Sequence, residues 1–263
     1  MLGNTLRNNS RTFATLAVGV AAGALVAGGG FAVAGTSAPR TDKQITNMTT
    51  EVANIEAYYG DTVDANGQHW PSPTSNYAIQ VHGIEARAET YLAARSGHGD
   101  PHGAMKAIVL DIDDTSLSTY NYELETTFVY SSASNAQYIA TRTMPAVFGM
   151  NDLATWAQKE GYAVFYITGR PESQRVYTVA NLSAVGFPAA TATNLFMKNA
   201  AAPPSYLPCG ATCTTDQYKA DTREHIEHLG YDIVGNFGDQ YSDLSGGYAD
   251  KDFKIPNPMY FLP

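Results

Sequence analysis

An α/β fold, with a parallel sheet covered by helices on both faces, is predicted by two features of this chain. Apolar runs alternate with helix-like stretches from about residue 105 onward, and polar clusters close three of those runs. Runs that are apolar on both sides and bounded by polar residues suit strands buried in the middle of three layers. Alternation of strand and helix implies right-handed crossovers and parallel pairing.

The elements follow in order. Residues 42–59 and 76–95 read as two helices ahead of the sheet, separated by the Gly- and Pro-containing GDTVDANGQHWPSPTS. Ile45, Met48, Val52, Ile55 and Tyr59 recur at helical spacing, as do Ile84, Ala88 and Tyr91, so both stripes are expected to face the core. The first strand, in AIVLDIDDT (residues 107–115), ends in Asp111, Asp113, Asp114 and Thr115. An insert follows, about residues 116–150. Asn151 or Asp152 is expected to cap a helix through Lys159 that stops at Gly161, and YAVFYI (162–167) is the second strand. Pro171 is expected to open the next helix, ending near Gly186, before a short strand at Leu195–Met197. Thr214 or Thr215 caps a helix that closes at Gly230, YDIVGNF (231–237) is a further strand, and DFKIPNPMYFLP ends the chain with an edge strand at most.

Composition narrows the class. Of 263 residues, 44% are hydrophobic and 16% charged, which suits one principal globular core. The first 34 residues differ: Arg7 and Arg11 precede an apolar stretch, Phe13 to Ala34, closing in Ala32-Val33-Ala34. That is the layout of a secretory signal with an A-x-A cleavage site, which makes export the expected localisation; an uncleaved membrane anchor is the alternative. No cysteine lies in the segment, so a lipid-bearing cysteine after the signal is excluded. The formal charge of −9 would become more negative on cleavage, since the segment carries two basic and no acidic residues. Such a protein is not expected to hold nucleic acid through counterion release. Residues 35–104 are expected to pack as a helical segment on a core spanning 105–263.

Cys209 and Cys213, in PCGATC, are read as a disulfide suited to an oxidising compartment, with a zinc half-site as the alternative. His98 and His102, in GHGDPHG, look metal-like but are surrounded by loop-forming residues.

The acidic strand end carries the most chemistry. Carboxylates crowded together raise one another's proton affinity unless a cation lies between them. Aspartates that merely form turns or cap helices are the bland alternative. An EF-hand register starting at Asp111 fails, since it needs Gly where Ser116 stands and Glu where Tyr122 stands. In an open parallel sheet, ligands gather beyond the carboxyl ends of the strands. The second strand ends in Thr168, Gly169 and Arg170. The last ends in GDQYSD, offering Asp239 and Asp243, and Lys219 lies on the helix before it. These four segments resemble, in order, the four motifs of the haloacid dehalogenase (HAD) superfamily of phosphatases. DIDDTSLST, YKADTREHIEHLGYDIVGNFGDQYSDL and IPNPMY are similar to its acid phosphatase branch, subfamily IIIB, which includes plant vegetative storage proteins. The likeness covers roughly residues 40–263 and implies a three-layer, Rossmann-like core with a small cap.

The chemistry of a phosphate monoester assigns roles to these residues. Catalysis must hold the phosphoryl group, neutralise its oxygens and present an in-line nucleophile. Asp111 can attack phosphorus to form an aspartyl phosphate, and Asp113 can protonate the leaving alcohol and then take a proton from water. Thr168, the Gly169 amide and Lys219 can bind phosphoryl oxygens. Asp111 and Asp239 suit Mg²⁺; the resemblance adds the main-chain carbonyl of Asp113 and a supporting role for Asp243. Capping by Thr168, a surface charge at Arg170 and a solvated helix face at Lys219 are the alternatives. In the aromatic-rich insert (Tyr120, Tyr122, Phe128, Tyr130, Tyr138, Phe148), Tyr120 and Tyr122 are candidate substrate contacts. The expected function is thus a secreted, Mg²⁺-dependent acid phosphatase acting on small phosphate monoesters. A non-catalytic storage or phosphate-ester-binding protein, and a phosphotransferase to an acceptor alcohol, are the rivals.

Overall fold

The computed structural model describes residues 43, 45–96, 103–141 and 143–262. The segment read as a signal, and His98 and His102, lie outside the described residues. Thr46–Pro263 forms one compact unit.

Helix α1 (Met48–Tyr59) begins at Met48 rather than residue 42 because Asn47 caps it, its side chain accepting from the Thr50 amide at 3.3 Å. Ile45 therefore precedes the helix and Met48 is exposed, which corrects the expected stripe. Burial is concentrated at the far end, where Tyr59 stacks on Tyr77 and Tyr120 with ring centroids 4.2 and 4.4 Å apart. A small antiparallel hairpin, β1 (Thr62–Val63) and β2 (His69–Trp70), occupies the connection to α2 (Asn76–Ser96). From α2, Val81, Ile84, Ala88 and Leu92 pack in one cluster with Ile108 and Leu110 of the sheet.

The sheet contains β3 (Met105–Leu110), β4 (Ala163–Pro171), β5 (Leu195–Lys198), β6 (Tyr231–Gly238) and β7 (Asp252–Lys254). They lie in the order β5-β4-β3-β6-β7, all parallel, so β3 is central and β7 is the expected edge. Side chains alternate across the central strand. Ile108 and Leu110 face a cluster that includes α2, α5 (Met150–Lys159) and α6 (Arg175–Ala184), whereas Ala107 and Val109 face Tyr218 and Ile226 of α7 (Thr215–His228). The three layers follow from that division. The insert folds as α3 (Tyr120–Glu125) and α4 (Ser132–Thr141), and the short α8 (Tyr241–Leu244) follows β6.

Two local signals were overridden by tertiary contacts. Pro171 does not open a helix: β4 stays extended through it because β5 pairs with Thr168 and Pro171, and a 3₁₀ turn (Glu172–Gln174) precedes α6. Neither Asn151 nor Asp152 caps α5, which starts after Gly149 at φ 70°. A Cβ on that glycine would lie 1.9 Å from the Glu85 carboxylate, so the close approach of α2 sets the boundary. Thr214 caps α7 in a reciprocal arrangement with Gln217.

Candidate active site

Asp111 stands one residue past β3 and Asp239 one past β6, with Thr168 on the neighbouring β4. The acidic cluster and the hydroxyl thus share the carboxyl edge of adjacent central strands. Lys219, on α7, reaches this edge from one face. Its ammonium lies 2.5 Å from Asp111 Oδ1 and also donates to Asp243 Oδ1. Lys219 is buried, which removes the solvated-helix alternative. Burial alone would lower its pKa; Asp111 and Asp243 outweigh that and raise it, keeping the ammonium charged.

One ammonium does not neutralise this site. Carboxylate oxygens of Asp111, Asp239 and Asp243 all lie within 4.8 Å of one another, and all three residues are buried. Burial raises Asp111 well above the usual carboxylate range; Lys219 opposes the shift, while Asp243, Asp239 and Asp113 add to it. Burial, then Asp243, pushes Asp239 up to about 6 despite hydrogen bonds from Asn257 and Gln240. Such an excess of buried oxygen charge fits a hard divalent cation, which would relieve the repulsion that Lys219 leaves.

The supporting contacts orient each acid. Asp243 accepts from Lys219 through one oxygen and from the Gln240 amide through the other, at 2.8 Å. Asp239 accepts from Thr115 Oγ1 (3.1 Å), Gln240 Nε2 (2.7 Å) and Asn257 Nδ2 (2.8 Å). Asp114, at φ 54°, turns inward to accept from the Thr119 amide (2.9 Å) and the Tyr260 hydroxyl (2.8 Å). Gly238 permits the tight turn into Asp239, since a Cβ there would sit 2.2 Å from Asp243 Cβ. Gly238→Ala is therefore expected to cost about 1–3 kcal/mol, read as a lower melting temperature.

Thr168 does not cap a helix. Its hydroxyl accepts from the Arg170 amide at 3.1 Å, which leaves its own proton for an anion in the cleft. Nothing lies within 4 Å of a Cβ built on Gly169. Arg170 is buried rather than a surface charge. Its guanidinium grips both oxygens of Asp113, at 2.9 and 2.7 Å, and donates to Thr178 Oγ1 at 3.0 Å. A planar fork matched to a carboxylate fixes Asp113 at the rim of the site, its side chain 28% exposed.

The cleft above these residues has a volume of about 440 Å³ and opens beneath the insert. Tyr120 and Tyr122 are not among the residues that line it, which corrects the expected substrate contacts. Both are buried: Tyr120 stacks on Tyr59, and the Tyr122 hydroxyl lies 2.9 Å from Ser134 Oγ. The aromatic lining comes instead from Phe128, Tyr130, Tyr260 and Phe261. Asn257 and Tyr260 were visible in IPNPMY without an assignable role, because nothing local indicates that the C-terminal strap crosses the acidic edge. Glu123, in the cleft wall, carried no sequence signal at all. Cys209 and Cys213 are joined in a disulfide, so neither offers the thiolate that zinc would need.

Comparison with known proteins identifies the family. Residues 34–263 match the family described as HAD superfamily, subfamily IIIB (acid phosphatase). Acid phosphatase 1 of Solanum lycopersicum is 34% identical over 158 residues, 59% of this chain and 58% of that protein, so the match spans a little over half of that relative's length. Vegetative storage protein 1 of Arabidopsis thaliana is 28% identical over 224 residues, covering 83% of this chain and 74% of its own. The class C acid phosphatase from Bacillus anthracis with tungstate bound shares the fold, with TM-score 0.60 and 20% identity over 82% of this chain and 87% of that one. A second structure of that Bacillus anthracis enzyme gives TM-score 0.57 and 22% identity, over 72% and 80%. With its α/β core, its acidic strand ends and nearly its whole length in register with the family model, this chain belongs to the subfamily IIIB acid phosphatase family of the HAD superfamily.

Proposed function

We propose that this protein is an exported, Mg²⁺-dependent acid phosphatase that hydrolyses small phosphate monoesters through an aspartyl phosphate. The observation that carries the reading is the ammonium of Lys219 held between Asp111 and Asp243, beside Asp239. A site built only to hold a turn would not bury three carboxylates around one cation. Mg²⁺ held by Asp111 and Asp239, with Asp243 behind them, would supply positive charge to the phosphoryl oxygens and keep Asp111 ionised. The N-terminal segment and the disulfide support export.

The residues divide the work as follows. Asp111 Oδ2 is the oxygen left free by Lys219, and it attacks phosphorus in line while the bond to the leaving alcohol breaks. The Thr168 hydroxyl and the Gly169 amide donate to the phosphoryl oxygens, and Lys219 offsets the charge shared by nucleophile and phosphate. Arg170 holds Asp113 at the rim until the phosphate dianion competes for the guanidinium. Asp113, released and protonated from solvent, then passes that proton to the departing oxygen and afterwards takes one from the water that opens the acyl phosphate. Water as acceptor yields hydrolysis; an alcohol in its place would give phosphotransfer, which product analysis with added alcohol separates.

Asp113→Asn is expected to slow alkyl phosphates about 10²–10⁴-fold and para-nitrophenyl phosphate much less, because nitrophenolate leaves with little protonation. Equal losses with both substrates would remove Asp113 from the acid role. For the activity itself, para-nitrophenyl phosphate turnover between pH 4 and 8 with Mg²⁺ is the test. Its complete absence would leave the storage reading, which the vegetative storage relatives also suggest.

A further inference from the structure

Every basic group in the cleft already has a partner. Lys219 serves Asp111 and Asp243, Arg170 serves Asp113, and Lys198 donates to Thr215 Oγ1 at 3.2 Å. Glu123 does not share in this pairing. It extends from α3 into the cleft wall and is only 6% exposed. Among the described residues its carboxyl has neither a hydrogen bond nor an ion pair. Burial, and then the neighbouring charge of Asp113, pushes it up to about 7. Among the described residues, none supplies this acid with a cation.

Its surroundings indicate what would. Phe128 and Tyr130 line the same cleft, and Tyr130 is 66% exposed. Thr127 and Phe128 both adopt left-handed backbone, at φ 52° and 59°, which is uncommon for residues of this bulk. A carboxyl in a cleft wall shared with two aromatic side chains is a setting for an organic ammonium, which gains a charge-assisted hydrogen bond and a cation–π contact together. A neutral hydroxyl would leave the repulsion between Glu123 and Asp113 in place; an ammonium cancels it.

We propose that Glu123, with Tyr130 and Phe128, forms a leaving-group subsite that selects phosphate monoesters of short amino alcohols. This rests on the phosphomonoesterase reading and gives it a substrate class. The phosphoryl group sits at Asp111, and the ammonium at the other end of the ester lies against Glu123. The bonds made and broken are those already described, the alcohol departing with its amine still protonated.

The test compares aminoethyl phosphate with its uncharged isostere, propyl phosphate, in the Mg²⁺-loaded protein at pH 8, above the value of about 7 to which Glu123 is raised. The expected kcat/KM ratio is about tenfold in favour of the amine, falling to about one in Glu123→Gln. Tyr130→Ala, which removes an exposed ring and leaves the core intact, is expected to lower the ratio severalfold. Titration calorimetry with aminoethyl phosphonate and propyl phosphonate reads the same preference without turnover. If para-nitrophenyl phosphate is not hydrolysed, the enzyme reading fails and the calorimetric ratio alone decides this inference. Equal binding of the two phosphonates by the wild type, or a preference that survives in Glu123→Gln, would overturn it.

Discussion

Asp111→Asn is expected to reduce para-nitrophenyl phosphate turnover by at least about 10⁴-fold while leaving the fold intact. The amide keeps the shape of the side chain and loses the oxygen proposed to attack phosphorus. Its effect on stability distinguishes it from a damaging core mutation. Asp111 is buried, and Asp243, Asp239 and Asp113 all add to the cost of its charge, so a neutral residue there removes repulsion. Without added metal, the melting temperature of this variant should match or exceed that of the wild type. A near-normal rate would refute the covalent route; an inactive variant with a strongly lowered melting temperature would assign Asp111 a structural task instead.

Lys219→Met produces the opposite pattern, losing both activity and stability. It removes the ammonium from between Asp111 and Asp243 and leaves three buried carboxylates without it. Breaking a buried ion pair from one side costs about 3–5 kcal/mol. The loss should depend on pH, with a sign set by Asp239, whose pKa burial and Asp243 raise to about 6 from an ordinary 3.8. A carboxyl raised on folding binds its proton more tightly in the native state. Its contribution is therefore fully present below the unfolded value and is lost as pH rises through the folded one. In a chelator, the melting temperature of metal-free protein should fall as pH climbs from about 4 through 6, more steeply in Lys219→Met. Added Mg²⁺ should recover part of the loss above that range. A deficit equal at pH 4.5 and 7.5 would mean that Lys219 contributes through packing and not charge.

How far the site could be read in advance varied with how local its signals are. Asp111, Thr168 and Asp239 stand at strand ends, and Lys219 on a helix bounded by a Thr cap and Gly230, so a parallel sheet brings them near one edge. Tyr120 and Tyr122 were misjudged because aromatic composition in an insert does not say which rings turn inward. Tyr120 instead joins Tyr59 and Tyr77 in a stack drawn from three separate segments. Met48 and Ile45 continued a helical stripe beyond the point where Asn47 stops the helix, and periodicity alone cannot register that cap. Arg170 could be a surface charge or a site residue until Asp113, far away in sequence, was found within reach of its guanidinium.

Sequence alone determined the order of strands and helices, the acidic strand ends and the family likeness, because each rests on residues close together along the chain. Tertiary structure alone decided that Arg170 clamps Asp113, that Asn257 and Tyr260 of the C-terminal strap hold Asp239 and Asp114, and that Glu123 meets no cation among the described residues. Those are facts about proximity between distant segments and about desolvation, and neither exists until the sheet has closed over its charges.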